Sequence, residues 1–117
     1  RNAHHPSNRR LLFYVLIEVG MINVFNPMHP GEYIREVYME PFNIHAADLA
    51  KYLEVSPSTL SRILNAKADL SVDMAFRLSK VLGRSPESWI NLQTQYSLDK
   101  ARKESADNFS VLRPIPL

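Results

Sequence analysis

Residues 46–67 read AADLAKYLEVSPSTLSRILNAK, and the periodicity inside this stretch decides the fold. Ala46, Leu49, Ala50 and Leu53 recur at i, i+3, i+4 and i+7, which is the apolar stripe of a short helix. Glu54-Val55-Ser56-Pro57 interrupts it. Ser56 is a strong N-cap residue. Pro57 suits the first helical position, where its missing N–H costs nothing, and the residue before a proline is pushed out of the helical region. A second helix from Pro57 places Leu60, Ile63 and Leu64 on one face and Ser58, Ser61, Arg62 and Asn65 on the other. Two short helices joined by a tight turn, with Val55 buried in it, make a helix-turn-helix.

The outward face of the second helix carries the functional signal. A helix lying in the major groove of DNA needs short polar side chains, so that its backbone approaches the base edges. It gains from an Arg, which pairs bidentately with guanine, and from an Asn, which pairs with adenine. Ser58, Thr59, Ser61, Arg62 and Asn65 supply that set, while Ser56 and Lys67 suit phosphates. The competing reading is an ordinary solvated face. Such faces usually carry Glu and Lys for helix propensity, and residues 56–66 contain no acidic residue.

The chain of 117 residues is long enough for one domain with a small core. With no cysteine it has no disulfide framework or thiolate metal site, which fits a reducing cytoplasm. No apolar run reaches membrane-spanning length. His4, His5, His29 and His45 show no helical i, i+4 ligand pair, so neither a metal nor a cofactor is expected. No nucleophile–base pair or Gly-rich phosphate loop is present, and three glycines leave little room for one, so an enzyme is not expected. The net charge of +2 is unevenly placed. Residues 56–84 hold five basic and two acidic residues, whereas residues 21–55 hold two and five. The positive excess coincides with the second half of the motif and the helix after it, which is the footprint of phosphate binding.

Three segments are expected: an N-terminal extension (1–20), a helix-turn-helix domain (21–104) and a C-terminal tail (105–117). For residues 1–20, three readings compete: an upstream or vector-derived extension, a genuine N-terminal arm, or a targeting signal, the last weakened by Glu18 within the apolar run. Leu11–Ile17 has strand-like composition. Residues 21–29 read as an extended lead-in. A first core helix follows from about Pro30 to Met39, ended by Pro41. His29 and His45 read as surface or capping residues. Ser71 caps a helix from Val72 to about Leu82, with Met74, Ala75, Leu78, Val81 and Leu82 in its core stripe and Gly83 as its stop. On its polar face Arg77, Lys80 and Arg84 are either solubilising charges or phosphate contacts. Ser85-Pro86 opens a fifth helix, with Trp89 as a core anchor, running to about Lys103. The apolar end FSVLRPIPL, residues 109–117, is of a kind that docks on its own domain, a second subunit or a partner protein.

Residues 29–41, HPGEYIREVYMEP, together with the helix-turn-helix, Met74-Ala75-Phe76-Arg77-Leu78, and Ser85-Pro86 followed by Trp89-Ile90-Asn91-Leu92-Gln93, resemble the HigA/VapI branch of Xre-type (Cro/C1-like) proteins. The last motif is the most diagnostic, because the wider Xre superfamily does not share it. The resemblance spans roughly residues 28–100. It implies an all-α, five-helix, lambda-repressor-like domain, usually a homodimer, whose recognition helix reads double-stranded operator DNA in its own promoter. It also implies a cognate toxin partner, typically a HigB-type mRNA endonuclease. Three positions depart from the family pattern. Ala46 stands where a Gln is common, Glu54 where the turn often has Gly, and Asn65-Ala66-Lys67 where Asn-Gly-Lys is frequent. Two other classes remain open: a stand-alone repressor without a toxin, and a protein-interaction module whose DNA binding is vestigial.

Overall fold

A computed structural model describes Leu12 and residues 26–117 of the chain. The expectations for residues 1–25 lie outside the described residues, apart from Leu12, which is helical and exposed where a strand was expected. The described residues hold helices and connecting turns and no strand. In order they form α1 (Pro30–Ile34), a π-helical turn (Arg35–Met39), α2 (Glu40–Phe42), α3 (Ala46–Leu53), α4 (Pro57–Leu64), α5 (Val72–Val81), α6 (Pro86–Glu104) and α7 (Ala106–Ser110).

Pro41 does not end the first helix. A proline in a helix removes one N–H and drives its ring against the carbonyl four residues back, here that of Val37. The chain relieves this by widening into the π turn, with the Glu40 N–H on the Arg35 carbonyl, and then continues to Phe42. It stops at Asn43, whose left-handed conformation (φ 54°) sends the Ile44 N–H back to the Met39 carbonyl at 2.9 Å.

The later helices start as their sequences direct. The hydroxyls of Ser56, Ser71 and Ser85 accept from the backbone N–H of Thr59, Met74 and Ser88 respectively, each at 3.1 Å. Pro57 and Pro86 stand in the first turns of α4 and α6. Glu54 ends α3 in the left-handed conformation (φ 57°), and Val55 beside it is half-buried rather than fully enclosed. Beyond α7, residues 111–117 carry no helix and are exposed throughout.

The core is one cluster in which Leu49, Leu53, Leu60, Leu78, Tyr33, Ile34 and Trp89 are fully buried. Trp89 is its centre, as expected. It meets Tyr33 edge-on at 5.6 Å, and its indole N–H donates to the Gly83 carbonyl at 3.1 Å. Gly83 itself has φ 96°, a natural stop after α5. Gly31 lets α1 lie directly on α4. A Cβ there would sit 2.0 Å from the Ile63 carbonyl oxygen and 2.8 Å from the Leu64 Cα, both rigid backbone.

His29 caps α1, but it is not a surface residue, being 4% exposed. Its Nδ1 accepts from the Gly31 N–H at 2.9 Å, so the proton resides on Nε2, which donates to the Ala68 carbonyl at 3.1 Å. Tyr96 packs edge-on against the ring at 5.0 Å. Burial holds the imidazole below its ordinary 6.5, against the opposing pull of the Ala68 carbonyl, Asp69 and Glu32, and with the help of Lys100. A second proton would also turn Nδ1 from acceptor to donor in front of the Gly31 N–H.

Because the folded state binds this proton less well than the unfolded chain, the neutral cap contributes stability that is complete above pH 6.5. That contribution is lost as pH falls through 6.5 toward the lowered folded value. One proton changes stability by at most about 1.4 kcal/mol per pH unit. Denaturant titrations between pH 5 and 8 should show this loss, and His29→Gln, which does not titrate, should flatten it.

Candidate nucleic-acid interface

The exposed face of α4 begins at its cap. Besides accepting from Thr59, the Ser56 hydroxyl donates to the Thr59 hydroxyl at 2.8 Å and lies 3.2 Å from that of Ser58. These three short side chains form a mutually bonded polar edge over the first turn, where the positive end of the helix faces outward. Ser58, Thr59, Ser61, Arg62, Asn65 and Lys67 are all exposed, while Leu60, Ile63 and Leu64 on the opposite side are buried. The backbone therefore gathers every sequence-expected site residue along one helix and the turn that follows it.

Their side chains are engaged to different degrees. Arg62 makes one long contact, Nη2 to the Lys67 carbonyl at 3.4 Å, at the weak limit of a hydrogen bond. Asn65 is held on both sides: its Nδ2 donates to the Ser61 carbonyl at 2.9 Å and hydroxyl at 3.2 Å, and its Oδ1 accepts from Arg35 Nη2. Arg35 comes from the π turn and was not among the expected site residues. Gly31, where α1 meets α4, lies one turn earlier, so Arg35 at i+4 is carried to the end of α4.

The turn after α4 is tied from several directions. Ala66 adopts a left-handed conformation (φ 58°). His29 holds the Ala68 carbonyl, and Gln93 accepts from the Leu70 N–H at 2.7 Å. Lys67 is thereby presented from a fixed backbone, next to the Arg62 guanidinium.

Arg77 fits neither of its expected roles. Its Nη1 donates to the Leu53 carbonyl at 2.8 Å and to the Glu54 carbonyl at 3.3 Å, and its Nε pairs with Asp73 at 2.7 Å. It fastens the end of α3 and the strained Glu54 turn to α5. Arg84 is also engaged, its Nε donating to the Tyr38 hydroxyl at 2.8 Å, whereas Lys80 is exposed. His45 stands at the N-cap of α3, exposed and without a side-chain cap bond. Among the described residues no group of His, Asp or Glu is placed to hold a metal, and no helix is long and apolar enough to cross a membrane.

Residues 34–89 match the family model described as helix-turn-helix. The chain is 36% identical over 93 residues to virulence-associated protein I of Dichelobacter nodosus, covering 80% of this chain and 85% of that protein. Among solved structures it is similar to the Pseudomonas aeruginosa antitoxin HigA with the higBA promoter (35% identity, TM-score 0.72, 77% of this chain and 99% of that one). It is likewise similar to antitoxin GraA in complex with its operator (36% identity, TM-score 0.72, 82% and 98%).

Two substitutions probe the scaffold of this face. Arg77→Met keeps the aliphatic stem but leaves two helix-end carbonyls without their donor, and should lower unfolding free energy by about 1–2 kcal/mol. Ala66→Gly relieves a left-handed backbone that a Cβ disfavours, and should raise it by roughly 0.5–1 kcal/mol. Chemical denaturation measures both.

Proposed function

The chain belongs to the HigA/VapI branch of the Xre-type helix-turn-helix family, and on that premise we propose that it is a sequence-specific DNA-binding antitoxin. In this reading it is a homodimer that binds double-stranded operator DNA upstream of its own gene, represses that operon, and neutralises a cognate HigB-type toxin by direct contact. The observation that carries the DNA part is the acid-free, exposed polar face of α4. The toxin part rests on likeness to proteins named antitoxins.

Two copies related by a two-fold axis present two recognition helices about one helical turn, roughly 34 Å, apart on a palindromic site. Arg62 and Asn65 read base edges, with Ser58, Thr59 and Ser61 allowing close approach. Ser56 and Lys67 set the register on phosphates. Lys80 remains a phosphate candidate from α5, while Arg77 leaves that group because its guanidinium is spent on the Glu54 turn. A protein that reads operator DNA works in the cytoplasm, and no step requires a cofactor or a chemical reaction.

The deciding experiment compares binding to a duplex from immediately upstream of the gene with binding to a scrambled duplex, at two salt concentrations. A large preference for the native duplex, weakening as salt rises, supports the reading. Equal, salt-sensitive binding to both refutes it. Within the site, Arg62→Ala should cost about 1–3 kcal/mol on the operator and relax specificity. Lys67→Ala should weaken both duplexes alike and lower the salt slope by about one. If the two variants act identically on operator and scrambled DNA, the division into base and phosphate contacts is wrong.

A further inference from the structure

Among the apolar surfaces that the described residues expose, two are complementary. One is a groove of about 280 Å³ between α5 and α6, floored by Val72 (63% exposed), Phe76 (56% exposed), Pro86 and Ile90, with Glu87 and Asn91 at its rim. The other is the segment 111–117, where Val111, Leu112, Ile115 and Leu117 are all exposed and Arg113 is the single charge.

We propose that the segment 111–117 of one copy occupies the α5–α6 groove of a second copy, with Arg113 against Glu87, and that the exchange is reciprocal. This rests on the two-copy reading above and says which surfaces join the copies. Three features point to it.

The first is chemical match. The segment carries no helix and is rich in aliphatic side chains, and Pro114 and Pro116 bring no N–H that an apolar groove would leave unsatisfied. The second is charge: the one cation of the segment meets an acid on the groove rim. The third is position. The groove lies at the N-terminal end of the 19-residue α6, whereas the segment follows its far end. Residues 106–117, apart from being continuous with α6, are exposed throughout, so the segment does not run back along its own helix to its own groove. Two copies related by a two-fold axis perpendicular to α6 have these helices antiparallel and place the end of each beside the groove of the other.

Light scattering of the full chain without DNA tests this. The expected mass is twice the 13.4 kDa of one chain. Phe76→Glu in the groove and Ile115→Asp in the segment, both at exposed positions, should each raise the dimer dissociation constant about tenfold or more. Glu87→Arg and Arg113→Glu should each weaken the dimer, and the double variant should recover most of the loss. A dimer broken by Phe76→Glu but indifferent to Ile115→Asp would mean that groove packs on groove, and overturns the exchange. So does a dimer indifferent to every variant. A chain that is monomeric both alone and on operator DNA overturns the two-copy reading itself.

Discussion

The arrangement of the domain depends on one contact of backbone against backbone. At Gly31 the first turn of α1 lies so near the Ile63 carbonyl and Leu64 Cα that no other residue fits without displacing a helix. Such proximity demands that the polar groups around it be satisfied locally, since little water can enter. His29 does this with one ring: it takes the Gly31 N–H on one nitrogen and gives a proton to the Ala68 carbonyl from the other. The start of the first helix and the turn leaving the recognition helix are thus held by the same side chain. The posture of α4, and with it the direction of the whole polar face, follows from this pairing.

A rigid turn before α4 matters as much as the contact behind it. Glu54 is a poor residue for a left-handed position, costing on the order of 1 kcal/mol against glycine. The fold compensates through the carbonyls: those of Leu53 and Glu54 both receive the Arg77 guanidinium from α5. Strain in one element is therefore offset by a charged hydrogen bond from another, and α3, α4 and α5 become a single body. A basic residue that composition alone counts toward DNA binding is used for internal support.

Much of this was legible from local sequence, because helix caps and apolar stripes are local physics. Three Ser caps, two of them followed by Pro, start their helices where the residue types say they should, and the buried face of α4 is the one its spacing marks. What escaped was long-range. Pro41 ought to stop a helix, yet a π turn four residues earlier removes the clash, and nothing in the composition of Arg35–Met39 marks that widening. His29 reads as a surface cap until the fold brings Ala68, 39 residues away, over its second nitrogen. Arg77 and Arg35 likewise find partners 24 and 30 residues distant. Residue type marked the polar face of α4, but which of its atoms are already hydrogen-bonded could not be read from it.

On the reading proposed above, in which Arg62 and Asn65 read base edges, that occupancy bears on how α4 would meet DNA. Arg62 has only a 3.4 Å contact with the Lys67 carbonyl to give up, so its fork turns toward a guanine at small enthalpic cost. Asn65 is different. To offer both its oxygen and its amide to an adenine it must release Arg35 on one side and Ser61 on the other. A contact made at that cost adds less affinity than its geometry suggests, yet it discriminates more sharply. A base that cannot replace both bonds leaves Asn65 where it is, and leaves its own edge unpaired. In that proposed contact the same exchange would free the Arg35 guanidinium at the end of α4.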